Sequence, residues 1–427
     1  MNNMENFYTN YFKYKNNILH ANDLNLQEFC SKTDTPCYLY NKNAIEDFAS
    51  IIQNNLKPLE PEICYAVKAL SNISILNIMH QMNFGADCVS GGEIFRALKA
   101  KIPASKIVFS GAAKSDYDIE FALKNSIGQI NVESFSEIEK INNIGKKLGV
   151  VQKIAIRIRQ NTAVNTHKFI ATAGQDSKFG ISASDITEHK ISQILSMKNI
   201  DLIGFSIHIG SQIFSNESYH SAYKVMRDVM DRLKNSAINI RKIDLGGGFG
   251  VKYKEDDGIF DFIKYRDTIL EIFGDYIKSG VKLIIEPGRF LVANSGILLG
   301  KVLCIKESDG EKFVILDCGM NDLPRIALYN AHHDILPIKR NNETEFYNIC
   351  GRICESSDFF AKHRQISSIE VGDFVATLSA AAYCSSMSSE YNSYPLISEY
   401  LVSNANVKKI RSSVKIEEIV GREIFVE

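Results

Sequence analysis

A lysine at the end of a short apolar run is the residue whose placement most directly predicts chemistry in this chain. Lys68 ends the segment Cys64-Tyr65-Ala66-Val67-Lys68. If that run is a strand buried on both faces, the ammonium group points into a site and loses part of its hydration. Desolvation lowers the pKa of a lysine and makes its amine a nucleophile that can form a Schiff base with a carbonyl compound. The alternative is a surface lysine whose apolar stem lies along the strand end.

Other residues with chemical potential follow further apolar runs in the same way. The residues at predicted strand ends are Lys68, Asp87, His208, Gly246-Gly247-Gly248 and Glu286. The glycines allow backbone N–H groups to approach an anion such as phosphate, and the Lys-Ser/Thr of a nucleotide-binding P-loop is absent from this motif. His208 has the shape to stack on a flat ring. A carboxylate such as Glu286, facing a pyridine nitrogen, keeps that nitrogen protonated and makes the ring a strong electron sink.

Five more residues complete the candidate site. The planar guanidinium of Arg289, in Glu286-Pro287-Gly288-Arg289, suits a phosphate or a carboxylate, and Ser211 offers a hydroxyl to the same phosphate. The thiol and carboxylate of Cys354-Glu355 suit proton transfer and recognition of an amine. Tyr383 follows three alanines, which allow close approach of the backbone. The simple alternatives are a surface ion pair, a loop with a buried cysteine and a packed strand end.

The elements that must position these residues alternate along the chain. Apolar runs predict eight strands: Ile63–Lys68, Phe84–Val89, Ile107–Gly111, Gln129–Val132, Lys153–Ile158, Leu202–Ile209, Lys242–Leu245 and Lys282–Glu286. Helical spacing or a capping-box sequence predicts helices between them: Ser90–Lys101, Ser134–Leu148, Glu217–Leu233 and Asp261–Ile277. Strand and helix units in this number favour a (β/α)8 barrel, with an open doubly wound sheet as the alternative. Enzymes of the barrel class carry their chemistry at the C-terminal ends of the strands.

The pattern changes after about residue 295. Ile297–Ile305 and Lys312–Asp317 read as strands joined at Asp309-Gly310, a hairpin sequence. Phe346–Ile353, Asp373–Leu378 and the alternating segment Val407–Val426 also favour strands. We therefore predict three parts: residues 1–35 as an N-terminal segment packing with a β domain, 36–290 as the barrel, and 291–427 as an all-β barrel or sandwich domain.

Composition excludes several classes of protein. The chain has 427 residues with a net charge of -1, which indicates neither a nucleic-acid-binding surface nor a polybasic membrane patch. No apolar run is long enough to span a bilayer, and Met1–Asn6 lacks the pattern of a signal peptide. The nine cysteines are scattered and no pairs complete a zinc site, so we expect reduced thiols, no metal and a cytoplasmic location.

Taken together, the motifs resemble those of the fold-type III pyridoxal-phosphate decarboxylases, and more narrowly those of the diaminopimelate decarboxylase family. The resemblance runs from about Thr35 to Asn392. The matching segments are Tyr65–Ala69, Thr166-His167, Ser177–Ile181, His208–Ile213, Gly246–Gly250, Glu286–Arg289, Cys354–Asp358, Ser386–Ser389 and Tyr391-Asn392. Cys-Glu-Ser-Ser-Asp and Ser-Met-Ser-Ser are the segments most specific to the diaminopimelate branch.

The resemblance implies a role for each candidate residue. Lys68 would hold pyridoxal phosphate through a Schiff base, His208 would stack on the ring and Glu286 would pair with the ring nitrogen. The cofactor-binding set would be Lys68, Asp87, His208, Ser211, Gly247, Gly248, Glu286, Pro287, Gly288, Arg289 and Tyr383. The substrate-binding set would be Arg289, Arg325, Tyr329, Glu355 and Tyr383. Cys354 would protonate the substrate carbon after carbon dioxide leaves, which makes Lys68, His208 and Cys354 the implied catalytic residues.

The implied reaction is decarboxylation of meso-diaminopimelate to L-lysine, the last step of lysine biosynthesis. The family also implies a homodimer with shared active sites, because Cys354 and Glu355 reach across from the second subunit. The alternatives are a decarboxylase of carboxynorspermidine or another basic amino acid, an amino-acid racemase, and a catalytically silent protein that binds the cofactor. Arg325 and the Cys354-Glu355 pair disfavour a substrate without a distal carboxylate, and Glu286 disfavours a racemase.

Overall fold

Eight short apolar segments form parallel strands, each paired with the next around a closed ring. The computed structural model describes residues 10–159 and 178–426, and the ring lies within them. In chain order, which is also ring order, barrel strands one to eight are Glu62–Ala66, Gly85–Cys88, Ile107–Phe109, Gln129–Val132, Gln152–Arg159, Ile200–Ser206, Lys242–Asp244 and Lys282–Ile285. Strand eight pairs with strand one at Ile284↔Glu62 and Ile285↔Ile63, which closes the ring. The predicted barrel is therefore confirmed. A two-residue strand, Ile181–Ser182, adds to strand five.

Helices alternate with the barrel strands. Those following strands one to seven are Ile73–Gln81, Gly91–Lys99, Asp116–Lys124, Phe135–Leu148, Glu188–Leu195, Asn216–Arg232 and Phe262–Lys278. Lys42–Leu56 precedes strand one, and the short helix Arg289–Val292 follows strand eight. Single 3₁₀ turns lie at Lys57–Leu59, Val67–Ala69, Ala104–Lys106, Ala293–Ser295, Ser385–Met387 and Tyr391–Ser393.

A serine and a glutamate fix the start of the helix at Gly91. The Ser90 hydroxyl accepts from the Glu93 backbone N–H at 3.2 Å, which satisfies one of the donors left free at a helix start. The Glu93 carboxylate accepts from the N–H of Val89 at 2.8 Å, one residue before the cap. The helix at Phe135 begins in the same way. These side chains tie each helix start to the end of the preceding strand, where the site lies.

The second unit is built from two sheets. Phe12–Lys15, Ile18–Ala21 and Leu24–Asn25 form a three-stranded sheet. The nine-stranded sheet contains Cys37–Asn41, Gly296–Ser308, Glu311–Leu316, Ile335–Pro337, Thr344–Cys350, Phe359–Ser367, Phe374–Thr377, Ser398–Ser403 and Asn406–Arg411. Asp309 and Gly310 both have positive φ at the turn between Gly296–Ser308 and Glu311–Leu316, so the predicted hairpin is confirmed.

The N-terminal segment belongs to this sheet unit. Cys37–Asn41 lies antiparallel to Gly296–Ser308 and parallel to Ser398–Ser403. Backbone contacts divide the chain so that the sheet unit holds the described residues up to Phe48, Val251–Asp257 and those from Leu291 onward, and the barrel unit holds Ala49–Gly250 and Gly258–Phe290. The sheet unit thus extends past residue 35, because the strand at residues 37–41 finds its partners there.

The predicted C-terminal β domain is confirmed as a sheet unit, which also contains a few short helices. Short helices lie at Leu26–Lys32, Arg325–Tyr329 and Ile416–Val420. The alternating segment Val407–Val426 forms a strand only over Asn406–Arg411, because its pairing with Ser398–Ser403 reaches no further than Arg411. Beyond that point Ile416 and Val420 are more than half exposed on a helix, although their alternation favours a strand. Within the described ranges, no helix combines the length and apolarity that a bilayer crossing requires.

Candidate active site

The C-terminal ends of the barrel strands surround a cavity in the barrel unit. Its lining residues come from seven of the eight strands or the residues that follow them: Lys68, Asp87, Ser110, Asn131, Arg157, Ser206, Ile207, His208 and Glu286. Four of these are sequence-predicted site residues. Parallel strands bring their C-terminal ends to one edge, which is why residues far apart in the sequence meet here.

Lys68 lies one turn beyond its strand rather than within it. Strand one ends at Ala66, and Val67–Ala69 forms a 3₁₀ turn, which corrects the predicted strand end. The Lys68 Nζ lies 3.3 Å from the Asp87 Oδ2, with the lysine side chain 36% exposed and the aspartate 1%. Asp87 Oδ1 is buried and has no hydrogen-bond partner among the described residues. The amine is therefore held at the cavity by a buried carboxylate and remains reachable.

His208 presents a neutral ring to the same cavity. It follows strand six by two residues, and its Nδ1 accepts from the Gly247 backbone N–H at 3.4 Å. Burial, together with the nearby charges of Lys68 and Arg157, lowers the pKa of His208 well below its usual value. A neutral imidazole offers a flat surface for stacking without adding a cation.

Glu286 belongs to a buried carboxyl pair. The Asn131 side-chain N–H donates to Asp244 at 2.8 Å and lies 3.4 Å from Glu286 Oε1. Burial and then the charge of Asp244 raise the pKa of Glu286 well above its usual value, and burial raises the pKa of Asp244 to about 6. The raised pKa favours the protonated form of Glu286, whose proton can be shared with an aromatic ring nitrogen.

The glycine segment can adopt its path only without side chains. Gly246 and Gly248 have positive φ, and a Cβ on Gly247 would lie 2.0 Å from the Glu286 carbonyl oxygen. Two tyrosine hydroxyls hold the segment from behind: Tyr219 donates to the Gly247 carbonyl at 3.2 Å and Tyr223 to that of Leu245 at 3.1 Å.

The turn after strand eight contributes the guanidinium. Arg289 Nε donates to the Ser211 hydroxyl at 3.1 Å, and the Arg289 side chain is buried. The Pro287 carbonyl accepts from the Ala66 N–H at 3.0 Å, and a Cβ on Gly288 would lie 3.0 Å from that of Ala66. The turn is thereby fixed against the strand that precedes Lys68.

The sheet unit holds the other predicted residues, beginning with the exposed pair Cys354 and Glu355. The Cys354 N–H donates to Asn392 Oδ1 at 2.8 Å, and the Tyr391 hydroxyl lies 3.4 Å from Glu355 Oε2. Asp358 closes this loop. Its two oxygens accept from the N–H groups of Met320 and Ile353, each at 2.7 Å, and burial raises its pKa to about 6.

Arg325 and Tyr329 share a short helix in the sheet unit. Arg325 is 6% exposed and its Nη1 lies 2.8 Å from His333 Nε2. The guanidinium also lies over the ring of Tyr253, 4.6 Å from its centroid. Tyr329 is half-buried, and so is Tyr383, whose backbone has a φ of 58°. Within the described residues, Arg325 forms no ion pair with a carboxylate.

Sequence reasoning missed several polar residues of the cavity and its surroundings: Ser110, Asn131, Arg157, Ser206, Asp244, Tyr253 and His333. Those of the barrel had a readable signal, because each is a polar residue near the C-terminal end of a strand. His333 had none, since its ring nitrogens bind Arg325 and the Leu378 carbonyl. The motif residues Thr166-His167 and Ser177 lie outside the described residues.

The barrel residues fit pyridoxal phosphate. The amine of Lys68 suits its aldehyde, the neutral ring of His208 suits its face and the carboxyl of Glu286 suits its nitrogen. The buried Asp87 Oδ1 and Ser206 Oγ lack partners among the described residues, as polar atoms facing a polar ligand do. The glycine path with Ser211 and Arg289 suits a phosphate.

Comparison with known proteins identifies the family. Residues 43–293 match the family described as pyridoxal-dependent decarboxylase, pyridoxal binding domain. The diaminopimelate decarboxylase of Zymomonas mobilis is 38% identical over 424 residues, which cover 97% of this chain and 99% of that protein. That of Haemophilus influenzae is 38% identical over 96% of this chain and 98% of its own length.

Solved structures of diaminopimelate decarboxylases match the fold of this chain. The diaminopimelate decarboxylase of M. jannaschii in co-complex with L-lysine matches with a TM-score of 0.92 and 34% identity, covering 98% of this chain and 99% of that one. That of Helicobacter pylori complexed with L-lysine matches with a TM-score of 0.89 and 36% identity, covering 93% of this chain and 99% of that one. The chain belongs to the diaminopimelate decarboxylase family of pyridoxal-dependent decarboxylases.

Proposed function

We propose that this chain decarboxylates meso-2,6-diaminopimelate to L-lysine and carbon dioxide with pyridoxal phosphate, as the last step of lysine biosynthesis. Near full-length similarity to diaminopimelate decarboxylases supports the reaction class. The observation that carries the choice of substrate is Arg325, a buried guanidinium without a carboxylate partner among the described residues. A substrate with a carboxylate at its distal end supplies that partner.

The barrel residues bind and orient the cofactor in this proposal. Bound pyridoxal phosphate supplies an electron sink for the electron pair left when the bond to the carboxylate breaks. Lys68 provides the amine that anchors it, held by Asp87. His208 would pack on the ring, and Glu286 would share its proton with the ring nitrogen. Ser211, Gly247, Gly248 and the turn Pro287–Arg289 would hold the phosphate, and Tyr383 would also bind the cofactor.

The sheet-unit residues read the substrate. Arg325 and Tyr329 bind the distal carboxylate, because a guanidinium forms paired hydrogen bonds with both oxygens, and Arg289 of the barrel unit also contributes to this group. Glu355 binds the distal ammonium group, and Tyr383 contacts substrate and cofactor. A diamine without a carboxylate leaves Arg325 buried and unpaired, which disfavours its binding.

Cys354 supplies the final proton. When carbon dioxide leaves, the electron pair of the broken carbon–carbon bond forms a new C–H bond with the thiol proton, and Cys354 becomes a thiolate. We propose that Cys354 and Glu355 act on the site of the partner subunit in a homodimer, as the family resemblance implies. We also propose a cytoplasmic location.

Product analysis with four substrates tests the proposal. The purified protein with pyridoxal phosphate is incubated with meso-diaminopimelate, ornithine, arginine or carboxynorspermidine, and carbon dioxide and L-lysine are measured. We expect carbon dioxide and L-lysine in equal amounts from diaminopimelate and neither product from the other three substrates. Lys68→Ala should be inactive, whereas Lys147→Ala, at an exposed position, should match the wild type. Turnover of a competitor would reassign the substrate, and silence on all four with cofactor bound would contradict the reaction.

A further inference from the structure

The hydrogen bonds of Arg325 fix which nitrogen of His333 carries a proton. A guanidinium has only donors, so His333 Nε2, 2.8 Å from Arg325 Nη1, must accept. The proton of the neutral ring is then on Nδ1, where it is donated to the Leu378 carbonyl at 2.8 Å. Both ring nitrogens are engaged, and the ring is 1% exposed. His333 is therefore a rigid acceptor with one defined tautomer.

The ring of Tyr253 contacts both His333 and Arg325 and holds the two side chains in place. Its ring meets that of His333 edge to face, with centroids 5.5 Å apart, and lies under the Arg325 guanidinium. Tyr253 thus sets the plane of the Arg325 guanidinium, and the hydrogen bond to His333 sets the direction of one of its terminal nitrogens. Its Nε remains buried without a hydrogen-bond partner among the described residues. A buried donor in a fixed plane is suited to an anion that arrives from outside the protein.

We propose that His333 is a positioning residue for ligand carboxylates, which holds the Arg325 guanidinium in the orientation that pairs with the distal carboxylate. This rests on the proposed function, in which Arg325 reads that group. Without the acceptor at Nε2, the guanidinium gains an unpaired donor and the freedom to rotate away. The affinity for the carboxylate falls, while groups that recognise the amines are untouched.

Comparison of two ligands isolates the contribution of one carboxylate to binding. L-lysine and cadaverine are the same diamine with and without one carboxylate, so the ratio of their dissociation constants measures what that group contributes. Binding is followed by the change in the visible absorbance of the cofactor in the loaded enzyme, which needs no turnover. In the wild type, L-lysine should bind more tightly than cadaverine.

Two substitutions at residue 333 separate positioning from packing. His333→Asn keeps a donor near the Nδ1 position but has no acceptor at that of Nε2, whereas His333→Gln places its carbonyl oxygen near Nε2. Both remove the ring against Tyr253. We expect His333→Asn to weaken L-lysine binding about tenfold and to leave cadaverine within about twofold. His333→Gln should recover most of the loss, and the KM for diaminopimelate should follow the same order with kcat little changed.

The outcomes distinguish this inference from the proposed function. Unchanged L-lysine binding in both variants, or equal weakening of both ligands, overturns the role of His333 and leaves the proposed function intact. Equal affinities of the wild type for the two ligands overturn the carboxylate site itself, and with it both proposals. If His333→Asn does not fold, as judged by thermal melting, loss of the L-lysine preference in His333→Gln likewise overturns the assignment of its oxygen as the acceptor.

Discussion

At the scale of single residues, the barrel site concentrates acidic groups where burial opposes their ionisation. Asp87, Asp244 and Glu286 are all buried at strand ends, with Lys68 as a nearby cation. Burial raises the pKa of both Asp244 and Glu286, and the charge of Asp244 raises that of Glu286 further, because adjacent buried charges repel each other. A carboxyl group with a raised pKa fits the role proposed for Glu286, which is to share a proton with the ring nitrogen of the cofactor.

Asp244 should make the stability of the cofactor-free protein depend on pH. Its pKa in the folded chain is about 6 against an ordinary value of 3.8. Because the folded-state pKa is raised, its stabilising effect is fully present below about pH 4 and is lost as the pH rises through about 6. Asp244→Asn removes this ionisation and keeps only that of Glu286. Between about pH 4 and about pH 8, the wild type should lose up to about 3 kcal/mol of unfolding free energy relative to the variant.

Denaturant unfolding across that pH range measures the difference. The quantity compared is the slope of the unfolding free energy against pH. The hydrogen-bond acceptor that the variant loses lowers its stability by the same amount at every pH and does not change this slope. Asp256→Asn, at an exposed position, is the matched control and should follow the wild type. Parallel curves for wild type and Asp244→Asn would contradict the assignment of a raised pKa to this group.

At the scale of elements, the sequence predicts most of the barrel because its strands are buried on both faces and read as continuous apolar runs. The same property hides the strand ends: Val67 is apolar and buried, so nothing in the pattern separates the strand from the turn that carries Lys68. The helix at Ile416–Val420 was missed because alternation does not reveal where a partner strand stops.

The contacts that position site residues are harder to predict than the residues themselves. A local motif identifies Cys354, and the family resemblance implies Arg325. His333 and Asn392 act through partners distant in the chain, including Leu378 for the first and Cys354 for the second. Such pairings depend on tertiary packing, which periodicity does not encode.

The loop carrying Cys354 should depend on Asp358. Its carboxylate accepts from two backbone N–H groups, at Met320 and Ile353. Asp358→Asn replaces one acceptor oxygen by a donor that faces an N–H group, so at least one of these bonds is lost. We expect the unfolding free energy to fall by about 2 kcal/mol and the decarboxylation rate to fall severalfold, with the cofactor absorbance retained.

A substitution in the hairpin turn provides the control. Asp309 is exposed and has a positive φ, which asparagine tolerates equally, so Asp309→Asn should change stability by less than about 0.5 kcal/mol. Thermal melting and product formation are measured for both variants. An Asp358→Asn protein as stable and as active as Asp309→Asn would show that the carboxylate does not hold the loop.

At the scale of the whole molecule, the predicted site residues are divided between two units that interleave along the chain. The barrel unit contains Lys68, His208 and Glu286. The sheet unit, assembled from the N-terminal segment, Val251–Asp257 and the residues from Leu291 onward, contains Arg325, Cys354 and Glu355. In the proposed homodimer, Cys354 and Glu355 of one copy act on the barrel residues of the other.

Subunit complementation tests that arrangement. Lys68→Ala and Cys354→Ala should each be nearly inactive in a homodimer. If each site combines the barrel of one subunit with Cys354 of its partner, a hybrid of the two variants contains one site with both residues intact. When the two variants are mixed, unfolded and refolded together, random pairing makes about half of the dimers hybrids. Each hybrid has one working site of two, so the mixture should regain about one quarter of the wild-type rate.

The control pairs two variants of the same unit. Lys68→Ala mixed with His208→Ala leaves every hybrid site with a damaged barrel and should recover nothing. Different affinity tags on the two variants verify that hybrids have formed. Recovery with Cys354→Ala and none with His208→Ala would assign the thiol to the partner subunit, because only a residue contributed in trans is restored by a subunit whose own barrel is intact. Verified hybrids without recovery would place Lys68 and Cys354 of one chain in the same site.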